Sequence, residues 1–334
     1  MKLKVDCIIC VMLAIFVSAC SNDGVNVANN QDIALRAAVV DIESSAVGRA
    51  VVSATDKEYR GYVPTSENPL DAKVLFSLTS GDYHHTTTPV APTFLPCHTT
   101  IKYINGLMTI PDPYNGMALN TLRYPTTNST VYCVGLYPIA DWTIADDGSG
   151  GTTLSHDIIG NEDLMFAPQI TGSWNSHFGA QNYSHLLSWV KVIVCATDQE
   201  ASDSWGRITQ LSLSSASKVE IGLSGGAAVI DYTGSTYIDM IDNTNPAALK
   251  ITNQELGNVF CSPTTNFTIN VATEYKTSTR SVIISIPKDI NGNAITNPAG
   301  RLFILTLYFN KFDIITGVCT LSAWNSVNEN LYLE

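Results

Sequence analysis

Leu186-Leu187-Ser188-Trp189-Val190-Lys191-Val192-Ile193-Val194 carries one charge and is dense in β-branched and aromatic side chains. Such a run is short for a helix and reads as a buried strand. Working outward, the same texture recurs in Val74–Leu78, Thr130–Leu136, Ile208–Leu213, Ser281–Ile286 and Leu302–Phe309. Turn signals punctuate them at Asp146-Asp147-Gly148, Asn291-Gly292-Asn293 and Asn297-Pro298. The one helix-like patch, Asp198-Gln199-Glu200-Ala201 before Trp205, amounts to a single turn. Many short strands without alternating helices predict an all-β chain of antiparallel β-sandwiches rather than a parallel sheet. Its length suits two such domains in series. The least structured stretch runs from Asp146 to about Tyr183, so the boundary is expected inside it, near residue 175.

The amino terminus has a different character. Lys2 and Lys4 precede an apolar run from Cys7 to Val17, too short to span a bilayer. It ends in Val17-Ser18-Ala19-Cys20, which resembles the lipobox of bacterial lipoproteins. That resemblance implies a signal peptide over residues 1–19 and a diacylglycerol on the Cys20 sulfur. An ordinary secretory signal cleaved near Ala19, or a single N-terminal anchor, is the alternative. Several acyl chains hold a protein firmly at a membrane, whereas one does so marginally.

Net charge is −12 and no basic cluster occurs, which argues against nucleic acid as a partner. Beyond Cys20 the cysteines are Cys97, Cys133, Cys195, Cys261 and Cys319. Their odd number excludes a complete disulfide framework, and no CxxC pair suggests zinc. Most are expected as small buried hydrophobes, although one or two disulfides suit an exported chain.

From Cys20 to Gln31 the chain is polar, a tether in composition. Ile33, Leu35, Ala37 and Val39 then alternate with Ala34, Arg36, Ala38 and Val40. This is a period-2 strand with one apolar face. It leads into Ser44-Ser45-Ala46-Val47-Gly48-Arg49-Ala50, small residues around a lone arginine.

Taken together, the lipobox, the first strand with Gly48-Arg49-Ala50, the phrase Asn161–Ala167, the strand Tyr183–Val192 and a closing strand running into Trp324 resemble the fimbrillin family, the type V pilins of Bacteroidales. The resemblance covers nearly the whole chain. It implies two transthyretin-like sandwich domains, over residues 50–175 and 176–334, after a tether and removable first strand over 20–49. It also implies a precursor at the outer membrane, held by its lipid and then cut by an arginine-specific surface protease between Arg49 and Ala50. The removable strand would be Ile33, Leu35, Ala37 and Val39. Copies of the chain, or related pilin subunits, would then polymerise into an extracellular fimbria that supports adhesion to a host or bacterial surface ligand. The donor strand would lie near the C-terminus, either at Ile314, Thr316, Val318 and Thr320 or in the tail through Leu331-Tyr332-Leu333. Arg36 and Arg60 are rival processing sites. A monomeric surface lipoprotein that binds glycan or host protein, uncut at Arg49, is the alternative.

Catalytic chemistry is not expected, and no cofactor or metal is implied. Gly222-Leu223-Ser224-Gly225-Gly226 matches G-x-S-x-G, but a nucleophile elbow needs a following helix and a downstream histidine. The sequence after it reads as strand, and no histidine lies beyond His185, so a hairpin turn is predicted. His84-His85 and Cys97-His98 are adjacent pairs that would face opposite ways on a strand. Glu162-Asp163 is likewise poorly arranged for paired-carboxylate catalysis. Trp142 and Trp174 lie in loop-like stretches where they could stack on a ligand; Trp189, Trp205 and Trp324 read as core or strand edge.

Overall fold

A computed structural model describes residues 33, 35–40, 49–53, 57–60, 66, 69–84, 97–104, 107–109, 123–242, 244–289 and 292–322. Cys20, the tether, Ser44–Gly48, His85, Trp324 and Leu331–Leu333 lie outside the described residues, as do the side chains of Val39, Arg49 and Ala50. In chain order the strands are β1 (Arg36–Val40), β2 (Arg49–Ser53), β3 (Lys57–Arg60), β4 (Leu70–Ser77), β5 (Cys97–Ile104), β6 (Leu107–Thr109) and β7 (Val131–Tyr137). There follow β8 (Thr143–Asp146), β9 (Thr152–Asp157), β10 (Met165–Gly172), β11 (Ala180–His185) and β12 (Ser188–Ala196). Next come helix α1 (Gln199–Trp205), β13 (Ile208–Ser215), β14 (Lys218–Ser224), β15 (Ala227–Thr233) and β16 (Thr236–Ile241). The last are β17 (Gln254–Cys261), β18 (Asn266–Thr273), β19 (Arg280–Ser285), β20 (Leu302–Phe309) and β21 (Ile315–Ser322). The fold is all-β, as the punctuation predicts. The run Leu302–Phe309 emerges residue for residue as β20. Asp198 caps α1 by accepting a hydrogen bond from the Ala201 amide at 2.7 Å. Among the described residues no helix is long and apolar enough to cross a membrane.

Seven strands close on themselves in the order β1-β11-β10-β7-β4-β5-β6. The ring is completed where Arg36 of β1 faces Leu107 of β6. The C-terminal part is a sandwich of two four-stranded sheets, β17-β12-β20-β21 and β16-β13-β18-β19. Their inner faces meet through contacts such as Phe267 against Phe303, with ring centroids 5.2 Å apart. Two pairings depart from the antiparallel expectation. β1 runs parallel to β11 and β12 runs parallel to β20, because each pair is joined through long crossovers rather than hairpins.

The expected division at residue 175 differs from the sheet membership. β11, beyond that point, belongs to the N-terminal barrel, and the sheet changes at Leu186-Leu187, where the predicted single strand breaks in two. The hairpin β14–β15, from the C-terminal half, pairs with β9 in a sheet ordered β15-β14-β9-β8. Its tip is the Gly225-Gly226 turn that ends the G-x-S-x-G match. Gly225 and Gly226 have φ of 57° and 88°, the left-handed pair that a two-residue hairpin requires. A Cβ on Gly81 would lie 2.9 Å from the Gly225 nitrogen, so the tip docks backbone to backbone on the barrel. Gln169 of β10, packed beside Gly226, fixes the Ser80–Tyr83 turn under the tip: it accepts from the Gly81 amide at 3.0 Å and the Tyr83 hydroxyl at 2.7 Å, and donates to Ser80 Oγ at 2.9 Å.

The stretch from Asp146 to Tyr183, expected to be loop-like, contains all of β9 and β10 and part of β11. β9 escaped notice because its inward residues are Thr152, Leu154 and His156, two of them polar. They are tolerated because they are bonded: Thr152 Oγ1 accepts from the Tyr83 amide at 2.6 Å, and His156 Nδ1 lies 2.7 Å from the Asp157 carbonyl. Trp142 is also not a ligand platform. It is buried edge-on against the His156 ring, with centroids 5.1 Å apart. Trp174 packs half-buried on the barrel core. The five described cysteines are all free, four of them buried.

Two hydrophobic clusters share strands. Val74 and Phe76 of β4 point into the barrel while Leu75 joins the larger cluster outside it; Cys133 of β7 points in and Val134 out. Inside the barrel the Tyr183 ring lies against Gly135 of β7, where a Cβ would overlap the phenol hydroxyl. A glycine inside a strand marks this kind of close approach. Gly135→Ala is therefore expected to destabilise the fold by about 1–3 kcal/mol through overpacking. Urea unfolding of the two proteins side by side measures it.

Candidate functional site: the closing strand and its groove

β1 is short, and its sequence alternation is realised in three dimensions. Ile33, Leu35 and Ala37 are buried in the barrel cluster, and Arg36 between them is exposed. Along β11 the register is Arg36 with Ala180, Ala37 with Gln181, Ala38 with Asn182, Val39 with Tyr183 and Val40 with Ser184. On its other side β1 touches β6 at one pair. Among the described residues this strand alone therefore bridges β11 and β6. Without it the closed ring is an open six-stranded sheet with free edges at β11 and β6 and an apolar slot between them.

The slot has a polar floor that sequence reading missed. Gln181, fully buried on β11, accepts from the Tyr103 hydroxyl at 2.6 Å and from the Tyr183 hydroxyl at 3.3 Å. Its amide donates to the Cys133 sulfur at 3.0 Å. Ala37, the register partner of Gln181, is the smallest side chain on the inward face of β1 and leaves room for it. Burial pushes the Tyr103 and Tyr183 phenols and the Cys133 thiol above their ordinary ranges, so the network stays neutral and hydrogen-bonded. No periodicity marks a buried glutamine; only its place in a strand of otherwise mixed polarity hints at it.

Beside the groove, β11 is held to the chain before β10 by a buried pair. His185 Nδ1 lies 2.5 Å from Asp163 Oδ2, both residues being almost fully buried. Burial raises the Asp163 carboxyl above the usual carboxylate range, opposed by the attraction and hydrogen bond of His185. Glu162 turns the other way, with Oε1 3.9 Å from His156 Nε2, and is also raised by partial burial. The two adjacent carboxylates thus face separate histidines. His84 lies against Asp82 at 3.0 Å, and His98 against the Tyr83 carbonyl.

The segment around the expected cleavage site is a two-stranded ribbon. Arg49 opens β2 rather than sitting in a loop, and its register partner is Arg60, the rival site, at the end of β3. Arg36 lies within β1. The donor candidates lie on β21, the outer strand beside β20. Thr316, Val318 and Thr320 form its exposed face, and Ile314 precedes it, 51% exposed. The opposite face, Ile315, Cys319 and Leu321, packs on the chain's own core. β21 is engaged along its whole length, from Ile315 facing Phe309 to Ser322 facing Leu302.

No protein-family model and no curated protein matches the chain. Solved structures resemble it at low identity. One from Bacteroides uniformis, provisionally named for cell adhesion, has a TM-score of 0.47 at 14% identity, covering 85% of this chain and 100% of that one. One from Bacteroides ovatus, named likewise, gives 0.48 at 12%, covering 89% and 99%. A third, from Bacteroides thetaiotaomicron and provisionally named for polysaccharide binding, gives 0.44 at 8%, covering 90% and 99%.

Two measurements probe this site. Leu35→Ala should lower stability by about 2–5 kcal/mol in chemical denaturation. Arg36→Ala on the outer face should change it by less than about 0.5 kcal/mol. Asp163 tests the buried pair. A carboxyl raised in the folded state keeps a proton that the unfolded chain releases, so its contribution is present at low pH and lost as pH rises through the raised value. Asp163→Asn should therefore lessen the fall in stability above the ordinary carboxylate range, read from thermal midpoints between about pH 4 and 7.

Proposed function

We propose that the chain is a structural subunit of a cell-surface filament that supports adhesion. It is exported as a lipoprotein through Cys20, activated by cleavage between Arg49 and Ala50, and polymerised by strand exchange between copies or related subunits. The observation that carries this reading is the position of β1. It is the closing strand of a barrel, it lies upstream of the arginine, and a cut there leaves it held by non-covalent contacts alone. Reburial of Ile33 and Leu35 is worth about 1.5–3 kcal/mol each, and Ala37 less, by area. New ladder bonds add modestly. A vacated slot of that depth is refilled by another subunit's extended segment, and head-to-tail refilling continues without closing.

The full engagement of β21 in its own sheet favours the tail through Leu333, outside the described residues, as the donor. In this reading the partners are outer-membrane lipid before processing, an arginine-specific protease, and then copies of the chain. The second reading, an uncut monomeric surface lipoprotein that binds glycan or host protein, draws support from the pairing of Arg49 with Arg60. Proteases bind extended, unpaired backbone, so the ribbon has to open before either arginine is cut.

Limited trypsin treatment of the precursor, followed by an unboiled denaturing gel, separates the readings. The filament reading expects a ladder whose subunits begin at Ala50, and Arg49→Ala should abolish it. A single band after complete cleavage at Arg49 would remove the polymerisation proposal.

A further inference from the structure

β15 is the outer strand of its sheet, paired with β14 on one side and with no strand on the other among the described residues. Every residue from Ala227 to Asp231 is exposed, including Val229 at 60% and Ile230 at 40%. Edge strands are ordinarily protected by lysine, proline or a bulge, and β15 has one charge, Asp231, and none of these. The Gly225-Gly226 turn fixes the phase of its backbone. Ser224 and Ala227 close the hairpin, so Ala227, Val229, Asp231 and Thr233 direct their amides and carbonyls at β14. At the far end the Ser217 amide also donates to the Thr233 carbonyl, at 3.1 Å, in keeping with that phase. The amides and carbonyls of Ala228, Ile230 and Tyr232 therefore point outward.

The same three residues line a cleft of about 890 Å³, whose other walls include Phe166, Pro168 and Pro298. Among the described residues that line it there is no lysine, arginine, aspartate or glutamate, and its histidine, His185, is bound to Asp163. The Tyr232 hydroxyl is taken by the Leu186 carbonyl. The wall thus offers apolar surface and a row of main-chain groups, without an ion to offset the desolvation of a charge.

We propose that this edge and cleft take an extended, uncharged peptide segment of a partner protein as an added strand, bonded through the main chain at Ala228, Ile230 and Tyr232. Alternating main-chain donors and acceptors on one edge are matched in spacing by another strand, and the neutral lining selects uncharged side chains. The open edge accommodates about five residues, roughly 17 Å at strand rise. The cleft adjoins the β1 groove at Ser184, the register partner of Val40, but the edge that takes the strand belongs to the separate β15-β14-β9-β8 sheet, and the proposal does not depend on processing at Arg49.

The probe is the capped pentapeptide acetyl-Thr-Val-Thr-Val-Thr-amide, added at about 1 mM to the full chain and followed by residue-resolved amide hydrogen exchange. The amides of Ala228, Ile230 and Tyr232 should slow by about tenfold or more, those of Val229 and Asp231 much less. Ile230→Pro removes one outward donor without touching the β14 ladder, and should abolish the protection while the melting curve stays close to that of the parent. A peptide N-methylated at alternate amides should fail to protect. The proposal is overturned by no protection at that concentration, or by equal protection from the N-methylated peptide. It is also overturned if protection appears with protein concentration alone, which would mean a second copy, or if a neutral oligosaccharide displaces the peptide.

Discussion

The N-terminal half hangs on two strands that are buried on both faces over much of their length. β4 and β7 send one set of side chains into the barrel and the other into the larger core that runs through the C-terminal sandwich. A strand buried on both sides cannot slip by one residue without moving apolar groups into the wrong cluster, so its register is strongly fixed. That fixed frame sets the width of the gap between β11 and β6, and hence the dimensions of whatever strand closes it. The glycine contact at the hairpin tip, with Gly225 against Gly81 and Gln169 packed beside Gly226, brings the two halves into the same frame.

Within that frame β1 differs from its neighbours. It makes five register pairs with β11 but a single one with β6, and with the two residues ahead of it buries Ile33, Leu35 and Ala37, whereas β4 and β7 are paired at several positions on both flanks. The barrel interior it covers is not wholly apolar. Gln181 and two tyrosines form a neutral bonded floor that would meet water if the strand left. A polar floor lowers the penalty of transient opening relative to a bare aliphatic slot, because its groups can bond to water. The C-terminal sandwich has a comparable parallel arrangement, β12 beside β20, but β12 is the direct continuation of β11 and lies between two partners.

The parts of this fold legible in sequence were those whose side chains obey one simple rule. β20 and β12 are apolar enough to be read directly, and the period-2 face of Ile33, Leu35 and Ala37 is the face that is buried. What eluded reading depended on partners distant in the chain. β9 is a strand because the polar Thr152 and His156 find bonds inside, which no local pattern encodes. The switch at Leu186-Leu187 lies within a continuous apolar run and involves no turn residue. Gln181 looks like any surface residue until Tyr103 and Tyr183 close on it. The ribbon pairing of Arg49 with Arg60 likewise joins two segments that reading treated as alternatives.

The parallel match of β1 to β11 also bears on the order of events at synthesis. Arg36 is made early and its partner Ala180 much later, so the first strand has no place to dock until almost the whole N-terminal half has been translated. Long sequence separation between contacting residues slows folding. The barrel therefore closes late in its own assembly, and until then β6 and β11 present bare edges to the folding chain, a window in which off-pathway pairing is possible.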